Sequence, residues 1–282
     1  MAGIDYNSSL EEIIKYIRAT HRGVSVTQRV KATKQPRGGY INPRSFDTKI
    51  LGEGIDILAP KESVYPSLVG TAVDYLTRLM LGTPAEEAFG ISLFGASRIH
   101  DIDKARNLLD GITGLDSKSI INAVKLSGYD VCTRSSVAEY KPVDEITPDE
   151  ATISNIKTMV ARSLNFFDIY GPKVLDGFTF GDGYTEIVDS GDGDFTTEDT
   201  LWDFKVSKNP PTKNHTLQLL MYWRMGLHSG NPEFANIKYI GIYNPRLNCV
   251  YRLSTRDISE DLIEIVEREV IGYNSHISNQ QK

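Results

Sequence analysis

The sequence predicts an α/β or α+β domain in which a central mixed β-sheet is flanked by helices, with a helical insert ahead of the strands that matter most. Three observations lead there. Helical periodicity dominates from 66 to about 170. After Gly171-Pro172 the chain turns to short β-rich pieces separated by Gly, Asp and Ser. It then runs helix, strand pair, helix to residue 273. The change near 171 need not separate domains, because the helices before it need a sheet to pack on. At 282 residues, 40% of them hydrophobic and 24% charged, the chain can build one large core.

Taken in order, residues 8–20 set Leu10, Ile13, Ile14 and Ile17 on one stripe behind a serine cap, which makes a short amphipathic helix. Residues 21–62 are basic, rich in Gly and Pro, and lack a firm period; they read as loop with short strands. The strongest helix is 66–81, with Leu68, Val69, Ala72, Val73, Leu76, Leu79 and Met80 on a broad apolar face and Gly82 at C′. Further helices are expected at about 84–99, 101–112, 117–126 and 150–169. Asp116 or Ser117 caps the third of these, and Thr147-Pro148 introduces the fourth. Strands at 178–180, 184–188, 193–196 and 201–206 suggest an antiparallel meander. A helix at about 214–227 follows, then strands 237–243 and 249–253 around the turn Asn244-Pro245-Arg246. An acidic helix at 258–273 and a polar tail complete the order.

Composition narrows the function classes. Cys132 and Cys249 cannot supply a four-cysteine zinc or iron–sulfur cluster and read as free thiols. A net charge of −6 argues weakly against nonspecific coating of nucleic acid. The charge is uneven, however. No acid occurs from 13 to 46, where Lys15, Arg18, Arg22, Arg29, Lys31, Lys34, Arg37 and Arg44 gather, whereas 257–269 is acidic. Such a run is either a solvated face or a phosphate-binding arm. No apolar run approaches the ~20 residues of a membrane span. Residues 1–10 lack a signal peptide's apolar stretch, so a cytoplasmic location without a membrane partner is the expectation.

Chemistry concentrates in residues 191–205. Strand alternation puts Asp203 and Lys205 on one face, with Trp202, Phe204 and Val206 on the other against the core. A turn at Thr197-Glu198-Asp199 would fold the strand holding Asp194 back alongside, so that Asp194 and Asp203 converge. Carboxylates suit Mg2+, a hard cation that prefers oxygen ligands. The Phe204 main-chain carbonyl is a further available ligand, and the Lys205 ammonium can orient a water or stabilise developing charge. Asp189, Asp192 and Glu186 compete with Asp194 for the upstream role, with Asp192 in a Gly-flanked turn. Alone, D-x-K is also an ordinary salt-bridged strand face.

The segment GDGDFTTEDTLWDFKVSK resembles the PD-(D/E)XK nuclease superfamily, in particular its RecB-like branch. That branch carries Q-x-x-x-Y on the next helix, matched here by Gln218 and Tyr222, four apart on one helix face. Leu217, Leu220 and Met221 give that helix its contact to the sheet. Upstream, Gly70-Thr71-Ala72-Val73-Asp74 is similar to the branch's G-x-x-x-H helix, with Asp74 where the family has His. Asp is an equally good, harder ligand for Mg2+. Gly70 would permit close approach to the sheet or a ligand. The resemblance implies a restriction-endonuclease-like fold, a metal site of Asp74, Asp194, Asp203 and the Phe204 carbonyl, and a catalytic set of Asp194, Asp203, Lys205, Gln218 and Tyr222.

The expected function is therefore a Mg2+- or Mn2+-dependent deoxyribonuclease, exonuclease-like, of the kind found in repair, recombination, phage replication or defence. The alternative is a non-cleaving nucleic-acid-binding or protein-interaction module on the same fold. The expected partner is single- or double-stranded DNA. Because the sequence has no G-x-x-x-x-G-K-[ST] loop, a helicase or other DNA-processing protein would supply any unwinding. The expected division is 1–65, helix and basic arm, and 66–282, nuclease-like domain with an insert at about 84–170. None of His21, His100, His215, His228 and His276 is paired at metal-ligand spacing; His215, three before Gln218, is the one placed for phosphate contact. Lys208 is either a DNA-backbone contact or solvated.

Overall fold

The structure is a computed structural model and describes residues 23–52 and 57–273. The helix expected at 8–20, the cations Lys15, Arg18 and Arg22, and His21 and His276 lie outside the described residues. The chain begins with β1 (Val24–Ser25), α1 (Val26–Ala32) and β2 (Asp47–Ile50). Helices follow as α2 (Pro66–Met80), α3 (Ala85–Ala88), α4 (Gly90–Ser97), α5 (Ile102–Asp110), α6 (Ser117–Ser127), α7 (Asp130–Arg134) and α8 (Glu150–Tyr170). Then come β3 (Leu175–Phe178), β4 (Val188–Ser190), β5 (Gly193–Thr196), β6 (Thr200–Phe204) and α9 (Lys213–His228). The last elements are β7 (Tyr239–Asn244), β8 (Cys249–Ser254) and α10 (Glu260–Ile265), which runs on as a π-helical stretch over Val266–Ile271.

Six strands form one mixed sheet in the order β2-β8-β7-β6-β5-β3, flanked by helices on both faces. Only the β6–β7 pair is parallel within it. Parallel neighbours need a crossover, and α9 supplies it. Its Leu217, Leu220 and Met221 are buried with Leu201, Ile240 and Ile242 of the two strands, and Val26 and Val30 of α1 join the same core. On the opposite face α8 brings Phe166 against the sheet. The Phe166 ring stacks on Tyr243 with centroids 4.1 Å apart and meets Trp202 edge-on at 4.9 Å. Behind α8, the helices α2 and α6 bury Val69, Leu76, Ile120 and Ile156 in a separate helical core. Phe204 packs against both that core and the aromatic cluster, so the end of β6 is where the insert meets the sheet.

Several expectations change. The four strands after residue 171 do not make a meander. The first lies at Leu175–Phe178, earlier than 178–180, because Gly181 takes φ 47 and opens a 3-10 turn at Gly181–Gly183. Residues 184–187 are not a strand. Thr185 closes a local turn, its N–H donating to the Val188 carbonyl and its hydroxyl accepting from the N–H groups of Ile187 and Val188. The remaining piece, β4, leaves the main sheet to pair in parallel with β1, and β3 bonds directly to β5. The helix expected at 84–99 breaks at Phe89, and α1 and α7 arise where no helix is expected. The strand expected at 201–206 ends at Phe204, although the Lys205 N–H still donates to the Tyr243 carbonyl at 2.9 Å. No described helix is long and apolar enough to cross a membrane.

The parallel pair depends on one small residue. Gly241 lies beside Trp202, and a Cβ added there would sit 2.4 Å from Trp202 Cζ3, within a wall of fully buried aromatic rings. Gly241→Ala is expected to destabilise the protein by about 1–3 kcal/mol, the usual cost of overpacking, read as a lower urea midpoint. A midpoint equal to wild type would refute this.

Candidate functional site

Asp194 and Asp203 come together through strand register. β5 and β6 pair Phe195 with Trp202 and Thr196 with Leu201. One step further along the same register, Asp194 faces Asp203, and opposed residues on neighbouring strands point to the same side. Asp194 Oδ2 accepts the Phe204 N–H at 2.6 Å. A residue's N–H and C=O leave a strand on the same edge, so the Phe204 carbonyl also faces the Asp194 side.

Asp203 is 1% exposed, and neither of its carboxylate oxygens receives a well-directed hydrogen bond. Its one close partner is Lys205, whose Nζ lies 2.8 Å from Oδ1 as an ion pair. The lysine reaches it because residues two apart on an extended chain share a face, and the Lys205 N–H still pairs with the Tyr243 carbonyl. Buried Asn244 fixes the chain as it leaves β6, donating to the Ser207 carbonyl at 2.8 Å while accepting from the N–H of Arg246 at 3.0 Å. Burial alone would lower the Lys205 pKa, but Asp203, Asp194 and Asp74 outweigh it and the ammonium is held above its usual range.

Asp74 projects from the middle of α2 toward the same acids. Its carboxyl is raised from the usual 3.8 to about 6, chiefly by burial, with Arg78 pulling it down and Asp176 pushing it up. Asp194 is raised to about 7 by burial and by the Asp203 charge, against the pull of Lys205. Both acids line one pocket with Arg78, Lys173 and Asp176. Four residues before Asp74 on the same helix is Gly70, where a Cβ would sit 3.7 Å from Val206 Cβ, an ordinary contact. The expected close approach therefore does not require glycine at that position.

α9 brings its pair to the other side of Asp203. Gln218 Nε2 donates to the Tyr222 hydroxyl at 2.7 Å, and burial, then Asp203, raises the phenol's pKa well above its usual range. Tyr222 is thus a neutral donor. His215 lies within reach of the Asp203 and Lys205 charges; burial lowers its pKa, and its Nδ1 accepts the Thr212 N–H at 3.2 Å. The competing acids go elsewhere. Asp189 accepts the Gly23 N–H at 2.6 Å and so fastens the β1–β4 pair, while Glu186 and Asp192 are exposed. Lys208, exposed, donates to the Pro60 carbonyl at 2.7 Å. His228 stacks on Tyr273 and lies 3.1 Å from Glu267, and His100 sits exposed after α4, so neither joins the site.

Asp176, Arg78 and Lys173 are the neighbours that sequence reasoning missed. Arg78 Nε lies 3.4 Å from Asp176, which also pairs closely with Lys173. Arg78 stands four residues after Asp74, so helical spacing alone was a signal for it. Asp176 carried none, because its place follows from the pairing of Asp176 with Phe195. Among the described residues, no group of three or more His, Cys, Asp or Glu is arranged to hold a metal ion as the side chains stand. In this arrangement Lys205 pairs with Asp203, and Asp194 is turned to the Phe204 N–H. Comparison with protein-family models, curated proteins and solved structures found no match to the chain.

The raised carboxyls set a pH dependence. The folded state holds protons on Asp74 and Asp194 more tightly than the unfolded chain does. Their contribution to stability is therefore full below the usual 3.8 and is lost as pH rises through about 6 and about 7. Metal-free protein should melt at a lower temperature at about pH 8 than at about pH 5, and Asp194→Asn should shrink that difference. An equal difference in the variant, measured by circular dichroism, would count against the assignment.

Proposed function

We propose that the chain is a metal-dependent nuclease of the PD-(D/E)XK type, RecB-like, that hydrolyses phosphodiester bonds in DNA on a restriction-endonuclease-like mixed sheet. The observation that carries this reading is the Asp203 carboxylate, buried in the parallel strand pair without directed donors, faced by Asp194 and touched by the Lys205 ammonium. A buried carboxylate left short of hydrogen bonds fits a hard cation. Asp194, Asp203 and the Phe204 carbonyl would hold Mg2+ or Mn2+, with Asp74 joining directly or through water. When bound, such an ion lowers the pKa of its water and neutralises the phosphate.

The chain's own residues have separable tasks. Lys205 keeps its proton and is placed to orient the attacking water and to offset negative charge that builds on the phosphate. Tyr222, with its hydroxyl oxygen occupied by Gln218, retains its own O–H for a phosphate oxygen. The segment between α1 and β2 is basic, with Lys34, Arg37 and Arg44 exposed beyond Lys31 at the end of α1, and Gln35 Nε2 donates to Asn214 Oδ1 at 2.8 Å. That contact brings the basic segment to the start of the helix carrying Gln218 and Tyr222, which favours a DNA strand as the partner. Arg29 is otherwise engaged, on the Val270 and Glu269 carbonyls. A helicase or other DNA-processing protein would supply unwinding.

The Asp203–Lys205 ion pair, standing in place of a carboxylate cluster, is the one observation that favours a non-cleaving nucleic-acid-binding or protein-interaction module instead. Purified Asp203→Asn and Lys205→Ala should each lose Mg2+- or Mn2+-dependent cleavage of end-labelled and circular DNA by at least about 100-fold while melting cooperatively. Wild-type cleavage matched by both variants, or no cleavage by wild type with any divalent ion, would sink the nuclease reading.

A further inference from the structure

The helical insert places an arginine at the edge of this site that the motif-based reading does not use. Asp130, 6% exposed at the start of α7, accepts the Tyr75 hydroxyl at 2.7 Å, the Ser92 hydroxyl at 2.5 Å and Arg134 Nε at 3.2 Å. Arg134 Nη2 also lies 3.4 Å from the Tyr75 hydroxyl. Tyr75 follows Asp74 on α2, so one helix joins this buried network to the acid cluster. The Arg134 side chain is nevertheless 54% exposed. Its Nε edge is anchored inward, while a guanidinium has five N–H donors in a fixed fork.

Exposure says which cation has an outward edge to offer. The carboxylates Asp74, Asp130, Asp176, Asp194 and Asp203 are met by the cations Arg78, Arg134, Lys173 and Lys205. Of the four cations, Arg78 and Lys173 close on Asp176 and Lys205 closes on Asp203, all with side chains 30% exposed or less. Arg134 is the one of these four that can meet an incoming anion without giving up its anchor.

We infer that Arg134 binds the backbone phosphate adjacent to the scissile one in a DNA strand, and that the buried Asp130–Tyr75–Ser92 network is there to position it. The inference rests on the nuclease reading, and it makes the insert part of the substrate groove.

The test measures binding of a fluorescein-labelled DNA oligonucleotide by anisotropy, with Ca2+ in place of Mg2+, at several salt concentrations. Arg134→Gln should weaken binding about 10-fold and reduce the slope of log affinity against log salt by roughly 1. In Mg2+ its KM should rise while kcat changes little, and Arg134→Lys should recover part of the loss because it keeps the charge without the fork. With wild-type protein, an uncharged methylphosphonate moved along the strand should weaken binding at the linkage beside the scissile one. Arg134→Gln should no longer distinguish that linkage. A folded Arg134→Gln with wild-type affinity and slope, in a protein whose Lys205→Ala variant has lost cleavage, overturns this inference and leaves the nuclease reading standing. If the Gln variant fails to fold, the wild-type scan decides: no loss at a linkage flanking the scissile one overturns the inference. Wild-type protein that neither binds nor cuts DNA overturns both.

Discussion

A carboxylate in the middle of a buried parallel strand pair is the constraint around which the molecule is arranged. Asp203 lies in register with Ile242 of β7, almost wholly shielded from water. Burying a charge there costs several kcal/mol unless partners offset it. The chain offsets it incompletely. Lys205 makes one contact, and neighbouring acids hold their protons longer than usual, so the cluster lowers its own repulsion. The site is strained electrostatically rather than by backbone geometry: no described residue has a cis peptide bond, and the positive-φ residues outside glycine are His100 and Asn248, both remote from β6 in sequence.

What holds that carboxylate in place is on the opposite face of the same strand. Trp202 is fully buried, its indole N–H donates to the Thr197 hydroxyl at 3.0 Å, and Phe166 and Gly241 close around it. Alternation then forces Asp203 to the α9 side, where Tyr222 and Gln218 await. The strand has one face for rigidity and one for chemistry, and each depends on the other. α2 has a comparable division of labour. Asp74 addresses the acids, Tyr75 addresses the Asp130 network of the insert, and Arg78 addresses Asp176 beside β5.

The legible parts of the sequence were those governed by local periodicity. The apolar faces at 66–81 and 214–227 became α2 and α9 with little change at either end, because each stripe is wide and ends at a polar or Gly residue. The pair β7–β8 and the Trp202/Asp203 alternation were equally readable, since a strand's period of two is written in its residues. The region 175–190 was not. Its aromatic and β-branched residues suit a strand, but Gly181 and the Thr185 turn divert the chain, and β4 finds its partner in β1, more than 160 residues earlier. Nothing local announces such a pairing.

At Asp194…Asp203-Phe204-Lys205 the division is clearest. The sequence by itself determined that two acids and a lysine would stand on one strand face behind a short turn, because alternation and turn length leave little choice. Only the tertiary structure decided that Asp203 would be sealed from water, and that Asp194 would bond the Phe204 N–H rather than reach for its neighbour. It alone brought Asp74 across from α2, and set Arg78, Lys173 and Arg134 around the cluster. Burial and the meeting of charges from distant elements are properties of packing, and no spacing along the chain encodes them.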